Sequence, residues 1–474
     1  MVGSVTPEQN KFQLEQNIKK SIFRAYDIRG IVEKELTPNA VFTIGLAFGT
    51  KAQQAGQKTV IIGRDARESS PILFDALQSG LTQTGCNVID IGILPTPLLY
   101  FATHLLSTKT GIMITGSHNP VEYNGLKMVL DGVTISTDAV KGLYDLIQTG
   151  NFSTGQGELT QNSTIISKYI QYVVQNIKLK KTLHVVVDSG NGVGGLVAPQ
   201  LYRQLGCKVD ELYSDVDGRF PNHHPDPTIP KNLKDLQTMV TEKSADIGLA
   251  FDGDADRLGV VLNTGEIIWP DKQLMLMAKH VYPRYKGAAF VFDVKCSASL
   301  PKVVKKYGGE PLMYRTGHSV LKQKMIDMKA PLSGELSGHI FFKDRWFGFD
   351  DGIYVGARLL EILSEEDKSA SEVFDEFPQA ISTPELKIAI ADEKKSQVLE
   401  RLKQEFSSNT EANIITIDGL RVEFEHGWGL VRASNTTPCL TLRFEADTEA
   451  HLEHIKDVFR KMLHAADKTL VTSF

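Results

Sequence analysis

The chain alternates between two kinds of hydrophobic pattern over most of its length. Longer stretches carry apolar residues at helical spacing, and residues 37–55, for example, open with Thr37-Pro38, which is a helix-start signal. Short apolar runs of strand length occupy residues 59–63, 87–92, 111–114, 183–188, 247–251 and 289–293. Strands that alternate with helices indicate βαβ units around mostly parallel sheets.

Three such α/β units follow one another with polar motifs at their strand ends, and we expect them to be diverged repeats of one topology. The predicted boundaries are residues 1–160, 161–263 and 264–377. The third unit is expected to open around Gly265-Glu266-Ile267-Ile268. Residues 1–20 are mostly polar, and we expect them to form a loose arm ahead of the first unit.

A different pattern follows Phe377-Pro378. An alternating strand at residues 386–390 and a charged helix at residues 395–406 precede hairpin-like segments that turn at Asp418-Gly419. A final helix is predicted over residues 448–461. We therefore expect a smaller α+β domain over residues 378–474. For the whole chain we expect an α/β fold of three mixed- or parallel-sheet domains followed by this one.

The composition limits the classes of partner. With 42% hydrophobic and 23% charged residues, the chain resembles ordinary soluble globular proteins. Its formal net charge of −5 argues against a nucleic-acid or membrane-surface binder, and no run approaches the ~18 apolar residues of a membrane span. The four cysteines lie far apart in sequence and indicate free thiols in a reducing compartment. We therefore expect a cytoplasmic protein that binds neither nucleic acid nor membrane.

The apolar run at residues 111–114 leads into the motif Thr115-Gly116-Ser117-His118-Asn119-Pro120. Gly116 allows a sharp turn, and Asn119-Pro120 is a turn signal. A serine at the end of a buried strand, with a histidine beside it, is typical of a nucleophile or a phosphate carrier. The alternative is a strand-to-loop turn in which Ser117 and His118 only bond to the backbone.

Three carboxylates occupy alternate positions directly after the strand at residues 247–251, at Asp252, Asp254 and Asp256. In extended backbone such side chains point the same way, so we expect the carboxylates to converge and to bind a divalent cation. An EF-hand is excluded because its sixth and twelfth positions would be Arg257 and Asn263. Three protein oxygens leave room for a phosphate ligand, as Mg²⁺ prefers. The alternative is a solvated acidic turn.

Two further loops are rich in hydrogen-bonding groups. Residues 432–437 combine an arginine, three hydroxyls and an amide, a set that suits phosphate oxygens. Glu335, Ser337 and His339 alternate between glycines, and their side chains suit recognition of a polyol. Ordinary polar turns remain the alternative for each loop. Because no Walker A sequence is present, phosphoryl transfer between a serine and a sugar phosphate fits better than an ATP-driven kinase.

The chain resembles the α-D-phosphohexomutase superfamily over nearly its whole length. The matching stretches, in order, are T-G-S-H-N-P, D-G-D-A-D-R, G-E-L-S-G-H and R-A-S-N-T-T-P. Within the superfamily it is most similar to the bacterial phosphomannomutase/phosphoglucomutase subgroup, on F-R-A-Y-D-I-R-G, F-F-K-D-R-W-F-G-F-D-D-G and G-W-G-L-V-R-A-S-N-T-T-P. Phosphoglucosamine mutases typically carry S-G-T-E in the last loop. Ala255 stands where glycine is common in the subgroup, and we expect so small a side chain to leave the metal geometry intact.

The resemblance implies a role for each motif around a central active-site cleft. It implies that Ser117 is phosphorylated in the resting enzyme and that its phosphate, with Asp252, Asp254 and Asp256, holds one Mg²⁺ per chain. Lys127 and His318 are candidates for general acid/base work. The resemblance also implies that sugar hydroxyls bind to Glu335 and Ser337, that the non-reacting phosphate binds to Arg432, Ser434, Asn435 and Thr436, and that the cleft is lined by Tyr26, Arg29, His118, Lys127, Arg257, Lys295, His318 and His339.

The implied reaction moves a phosphoryl group between positions 1 and 6 of mannose or glucose phosphates. Phosphoserine 117 would donate to the free hydroxyl, giving a hexose 1,6-bisphosphate that serves as both intermediate and activator. The bisphosphate would turn end for end, and Ser117 would then take back the other phosphoryl group. We expect a monomer with hexose phosphates as its substrates. Three alternatives remain: a phosphoglucosamine mutase, a Mg²⁺-dependent sugar phosphatase and a non-catalytic sugar-phosphate binding protein.

Overall fold

The computed structural model describes residues 11–407, 412–434, 438–472 and 474. The described residues form four β-sheets with helices packed against them. Among these residues, no helix is both long enough and apolar enough to cross a membrane. The chain divides into two compact units: unit 1 is Met1–Gln171, Asn191–Val197 and Asp215–His224, and unit 2 is Tyr172–Gly190, Ala198–Ser214 and Pro225–Phe474.

Unit 1 contains the first sheet, in the order β1-β5-β4-β2-β3-β7 with β6 paired to β5. Its strands are β1 (Ile28–Ile31), β2 (Thr59–Arg64), β3 (Asn87–Ile93), β4 (Gly111–Ile114), β5 (Tyr123–Leu130), β6 (Val133–Thr134) and β7 (Leu159–Gln161). Its helices are α1 (Pro38–Gln54), α2 (Ser70–Gln83), α3 (Thr96–Leu105) and α4 (Thr137–Thr149). Helix α5 (Ile165–Asn176) contains the boundary between the units.

Helix α1 begins as its sequence predicts and packs closely against α2. Pro38 occupies the first turn, and the Thr37 side chain accepts a hydrogen bond from the Ala40 amide. A Cβ atom on Gly80 would lie 2.2 Å from the Phe42 carbonyl oxygen, so the two helices approach too closely at that point for any larger residue.

The prediction of a loose arm over residues 1–20 is wrong for its described part. Phe12 and Ile18 are 6% and 4% exposed and belong to the hydrophobic core of unit 1, where the Phe12 ring stacks on Phe42. These apolar side chains are isolated in a polar segment without helical or strand spacing, so no periodic pattern marks them as buried. Residues 1–10 lie outside the described part of the chain.

The second sheet, in unit 2, has the order β12-β11-β10-β8-β9. Its strands are β8 (His184–Asp188), β9 (Lys208–Leu212), β10 (Ile247–Phe251), β11 (Leu258–Leu262) and β12 (Ile267–Ile268), with helices α6 (Ala198–Gln204) and α7 (Lys234–Glu242). The expectation that residues 265–268 open the third unit is therefore wrong. Ile267 and Ile268 pair with Val261 and Val260 of the preceding strand, because a short turn folds them back onto it.

The third sheet has the order β14-β13-β15-β16. Its strands are β13 (Ala289–Asp293), β14 (Glu310–Tyr314), β15 (Leu332–Gly334) and β16 (Ile340–Phe342). The helices of this segment are α8 (Pro270–Val281), α9 (Ser299–Lys306), α10 (His318–Asp327), α11 (Gly352–Glu365) and α12 (Ala370–Phe374).

The fourth sheet is antiparallel and supports the predicted α+β domain. Its strands are β17 (Ile381–Ser382), β18 (Leu386–Ala389), β19 (Asn413–Ile415), β20 (Leu420–Phe424), β21 (Gly427–Ala433) and β22 (Cys439–Ala446). Helices α13 (Asp392–Ser407) and α14 (Glu449–Ala466) cover it, and Thr448 caps α14 by accepting from the His451 amide.

The first three sheets share one strand arrangement, which confirms the expectation of a repeated topology. In each, the first strand pairs in parallel with the second and the third, and the third pairs antiparallel with the fourth; these quartets are β2-β3-β4-β5, β8-β9-β10-β11 and β13-β14-β15-β16. The connection between third and fourth strands carries Ser117 in the first repeat, the three aspartates in the second and Glu335 to His339 in the third. The same connection of the repeated topology therefore carries a different set of polar side chains in each repeat.

Candidate active site

The serine motif of unit 1 is a buried turn with an unusual backbone. Ser117 is buried and has a left-handed φ of +48°, which is uncommon for a residue other than glycine. Its hydroxyl oxygen lies 3.0 Å from His118 Nδ1. Its amide donates to the Thr115 hydroxyl oxygen at 2.8 Å. The loop thus holds the Ser117 hydroxyl beside an imidazole, as a nucleophile requires.

Three other predicted residues lie in the same unit. Arg29, on β1, donates through Nη1 to the Asn119 side-chain oxygen at 2.9 Å and through Nη2 to Asp27 at 2.7 Å. Lys127 is buried on β5, where the register places it opposite Met113 of β4, four residues before Ser117. Tyr26 is buried just before β1. Arg29 therefore contacts the serine motif directly, through Asn119.

Asp252, Asp254 and Asp256 converge in unit 2. All three are fully buried, and a ligand oxygen from each lies within 4.8 Å of the other two. Arg257 lies beside them, with Nε 3.8 Å from Asp252 Oδ2 and its amide donating to Asp252 Oδ1 at 3.2 Å. Three buried carboxylates whose oxygens converge fit a hard divalent cation such as Mg²⁺.

The predicted route to this convergence is wrong, because the aspartates lie in a turn and not in extended backbone. The Ala255 amide donates to the Asp252 carbonyl oxygen at 3.0 Å, and Ala255 has a left-handed φ of +59°. The predicted convergence of the three carboxylates is nevertheless observed, since a tight turn also brings them together. Ala255 therefore adopts a conformation that favours the glycine expected here.

We expect Ala255→Gly to change the free energy of unfolding by less than about 0.5 kcal/mol, because relief of the left-handed alanine offsets the added chain entropy. The matched substitution Ala357→Gly, inside helix α11, should lose about 1 kcal/mol. Denaturant unfolding without divalent cations measures both values. Equal losses at the two positions would contradict the strain at Ala255.

Two predicted histidines share a buried carboxylate in unit 2. His339 Nδ1 lies 3.1 Å and His318 Nδ1 lies 3.4 Å from Asp350 Oδ2, and their rings stack at 5.3 Å. Arg257 Nε donates to His339 Nε2 at 3.0 Å, so the proton of a neutral His339 belongs on Nδ1. His339 Nδ1 also lies 3.5 Å from Asp256, which connects this pair to the acidic turn.

Burial favours a neutral His318 beside the Asp350 carboxylate. Burial lowers the pKa of His318, and the hydrogen bond that His318 donates to Asp350 only partly opposes this effect. Although burial works to raise the pKa of Asp350, Lys322 at 2.8 Å and the two histidines hold it well below its usual value. A neutral imidazole next to a fixed carboxylate is suited to accepting a proton.

The loop predicted to bind sugar hydroxyls is hydrogen-bonded to the loop ahead of α10. Glu335 Oε1 accepts from the Gly317 amide at 2.9 Å, and Oε2 accepts from the Ser337 hydroxyl at 2.8 Å. Lys295 Nζ lies 3.1 Å from Glu385 and 3.7 Å from Asp293. Burial works to lower the pKa of Lys295, but these carboxylates outweigh it and raise the pKa.

The arginine of the predicted phosphate loop, Arg432, has an acidic neighbour. Arg432 Nε donates to Asp418 Oδ2 at 3.0 Å, and the same oxygen accepts from the Thr316 amide at 3.0 Å. The Ser434 carbonyl accepts from Lys395 Nζ at 3.0 Å. The other two predicted phosphate ligands, Asn435 and Thr436, lie outside the described residues.

Two carboxylates that organise this site, Asp350 and Asp418, have no local signal of that role in the sequence. Asp350 belongs to the quoted F-D-D-G stretch, but its histidine partners come from distant segments, so nothing local marked its role. Asp418 was assigned only to a turn, and its contacts with Arg432 and Thr316 depend on tertiary structure. The Asp-Gly turn is confirmed, since it connects β19 to β20.

Comparison with known proteins assigns the family. Models described as phosphoglucomutase/phosphomannomutase, alpha/beta/alpha domains I, II and III, match residues 20–154, 167–265 and 269–381. The model of the C-terminal domain matches residues 385–462. The chain therefore belongs to the phosphoglucomutase/phosphomannomutase family, with its architecture of three α/β domains and a C-terminal domain.

The similarity to individual members extends over nearly the whole chain. A phosphomannomutase/phosphoglucomutase of Pseudomonas aeruginosa is 51% identical over 454 residues, which cover 96% of this chain and 98% of the relative. A phosphoglucomutase of Neisseria meningitidis serogroup A is 51% identical over 95% of this chain and 98% of its own. The crystal structure of a family protein from Burkholderia thailandensis matches with a TM-score of 0.90 at 47% identity, covering 96% of this chain and 99% of that one. The protein is therefore an enzyme of the phosphomannomutase/phosphoglucomutase type.

Proposed function

We propose that the protein interconverts the 1- and 6-phosphates of mannose and glucose through a phosphoserine at residue 117 and a hexose 1,6-bisphosphate intermediate. The observation that carries this proposal is the repeated topology: equivalent connections hold a serine beside a histidine, an acidic triad and a hydroxyl-binding loop. The printed names of the relatives, which include both mutase activities, support the choice of sugars.

In unit 1, Ser117 carries the phosphoryl group. It donates that group to the free sugar hydroxyl and later recovers the other one from the bisphosphate after the sugar has turned end for end. Arg29 offsets negative charge next to the serine motif, and Lys127 or His118 exchanges the hydroxyl proton. Tyr26 lines the substrate-binding face.

In unit 2, the acidic triad fits one Mg²⁺ per chain, and the Ser117 phosphate would complete its ligands. When bound, the ion offsets charge on the transferring phosphoryl group.

His318 is the third candidate for exchanging the hydroxyl proton, after Lys127 and His118. The substrate contacts are assigned as follows: hydroxyls to Glu335 and Ser337, the non-reacting phosphate to Arg432, Ser434, Asn435 and Thr436, and charged or polar lining to Arg257, Lys295, His318 and His339.

The proposal keeps four domains with one motif in each, at the predicted residues 1–160, 161–263, 264–377 and 378–474, except that residues 264–268 belong with the second domain because β12 pairs with β11. Free cysteines Cys86, Cys207, Cys296 and Cys439 are all buried, which suits a reducing compartment, and we place the enzyme in the cytoplasm as a monomer. The hexose 1,6-bisphosphate also serves as activator, because it phosphorylates any Ser117 that has lost its phosphate.

Phosphorus NMR on purified protein with Mg²⁺ and a trace of glucose 1,6-bisphosphate tests the assignment. We expect mannose 1-phosphate and glucose 1-phosphate each to convert to the 6-phosphate, without accumulation of inorganic phosphate. Steady phosphate release would instead identify a phosphatase. Binding without conversion would identify a binding protein, and preference for glucosamine phosphates would identify a phosphoglucosamine mutase.

A further inference from the structure

Two of the repeats end their first strand in the same way. Asp65 directly follows β2, and Asp293 is the last residue of β13; both are buried, at 4% and 0% exposure. The strand registers pair Arg64 with Ile114 and Phe292 with Gly334, so each aspartate directly follows the last pair. The two carboxylates therefore occupy equivalent places beside the connection that carries the site residues.

Each carboxylate accepts from the equivalent backbone amide of its own loop. Asp65 Oδ2 accepts from the Gly116 amide at 3.0 Å, and Asp293 Oδ1 accepts from the Leu336 amide at 3.1 Å. Both amides lie two residues beyond the end of the third strand. The residue that follows each amide is a site residue, Ser117 in one repeat and Ser337 in the other.

A threonine hydroxyl adds a second bond in both repeats. Asp65 Oδ2 accepts from the Thr115 hydroxyl at 2.9 Å, and Asp293 Oδ2 accepts from the Thr316 hydroxyl at 3.1 Å. Because Thr115 also accepts from the Ser117 amide, the carboxylate reaches the nucleophile through one intervening group. A carboxylate that accepts several such hydrogen bonds is held in one orientation, and it holds the donor groups of the loop in place.

Asp65 also recruits a buried arginine that holds the rest of the serine loop. Arg67 Nε lies 3.3 Å from Asp65 Oδ2, and the Phe220 ring lies 5.1 Å from the guanidinium. A planar fork of five N–H groups suits this arrangement, and the three donors of a lysine do not. The two Arg67 Nη atoms donate, at 2.7 to 3.0 Å, to the carbonyl oxygens of Ser117, Asn119, Pro120 and Tyr123.

We propose that Asp65 and Asp293 are equivalent positioning residues, which set the nucleophile loop and the hydroxyl-binding loop respectively. The inference rests on the proposed function, since it assigns the first loop to phosphoryl transfer and the second to sugar recognition. Asp65 acts on Ser117 through Thr115, Gly116 and Arg67. Asp293 acts on Glu335 and Ser337 through the Leu336 amide.

The two assignments predict different kinetic effects for an aspartate-to-asparagine substitution at the two positions. Asp65→Asn should lower kcat by about 10- to 100-fold with little change in KM, since a displaced nucleophile loses reactivity without losing substrate contacts. Asp293→Asn should raise KM for the hexose phosphate by about tenfold or more and lower kcat less, since uniform binding to the sugar is weakened. Steady-state kinetics with glucose 1-phosphate measures both.

Asp90→Asn is the matched control, because Asp90 is a buried carboxylate that pairs with Arg64 and accepts from the Gly92 amide of its own turn. It should lose stability but keep both kinetic constants within about twofold. If a variant does not fold, Arg67→Lys replaces Asp65→Asn, and Thr316→Val replaces Asp293→Asn. Hydrogen exchange on the folded variants should show faster exchange at Gly116 or at Leu336, each in its own loop only.

The same kcat and KM changes in both variants, or kinetics equal to those of Asp90→Asn, would overturn the inference. An inactive parent protein would instead overturn the proposed function, so the two failures are distinguishable.

Discussion

Ser117→Ala should lower mutase activity at least about 100-fold, because the group that carries phosphate between the two ends of the sugar is removed. Ser117 is buried in a left-handed turn. Because alanine is close to serine in volume, we expect the loop to keep its conformation. Binding of hexose phosphate should change little, since the substrate contacts are assigned to other residues. Initial rates with glucose 1-phosphate, and calorimetric affinity for the same sugar, measure the two effects separately.

The matched control is Ser364→Ala, another buried serine, which lies in helix α11 and donates to the Glu361 carbonyl oxygen. It should retain activity within about twofold, as expected for a substitution away from the chemistry. A Ser117→Ala protein that kept more than a tenth of parent activity would show that residue 117 is not the phosphate carrier.

Asp254→Asn should lower activity by about 100- to 1000-fold and abolish the stabilisation by Mg²⁺. In the parent, Mg²⁺ at 100 times its Kd should raise the free energy of unfolding by about 2.7 kcal/mol, because it binds only the folded triad. Without Mg²⁺ the variant should be at least as stable as the parent, since one of three clustered negative charges is gone. Thermal melts with and without Mg²⁺ measure these effects.

Asp90→Asn again provides the control, because it removes a buried carboxylate that is not part of the acidic triad. Its melting temperature should fall, while the shift caused by Mg²⁺ stays at the parent value. A normal Mg²⁺ shift in Asp254→Asn would place the ion elsewhere, and unchanged activity would exclude the triad from the reaction.

The strands and the site motifs could be predicted because their signals are local. The run at residues 247–251 is apolar at every position and forms a strand with those bounds, and the three aspartates follow it directly. The serine motif combines a buried strand with a glycine turn, so its position at a strand end was also visible. In both cases the signal lies in a few consecutive residues at the end of a strand.

Contacts between distant segments could not be predicted. Asp350 meets His318 and His339 only after helix α10 and the β15–β16 connection have folded, and Asp418 meets Arg432 across a hairpin. Phe12 gave no signal because a lone aromatic residue has no period. The acidic turn shows a third limit: alternation predicted an extended segment, but the observed turn with Ala255 at positive φ brings the same carboxylates together.

The central claim is that phosphate moves from substrate to Ser117 and back to sugar. The most direct measurement uses dephosphorylated protein and glucose 1,6-bisphosphate labelled in its phosphates, followed by mass spectrometry of the intact protein and its peptides. We expect one labelled phosphoryl group on Ser117. After the excess bisphosphate has been removed, this group should pass to added unlabelled glucose 1-phosphate and appear as labelled bisphosphate. Label that stays on the sugar, sits on another residue, or leaves as inorganic phosphate would contradict the account.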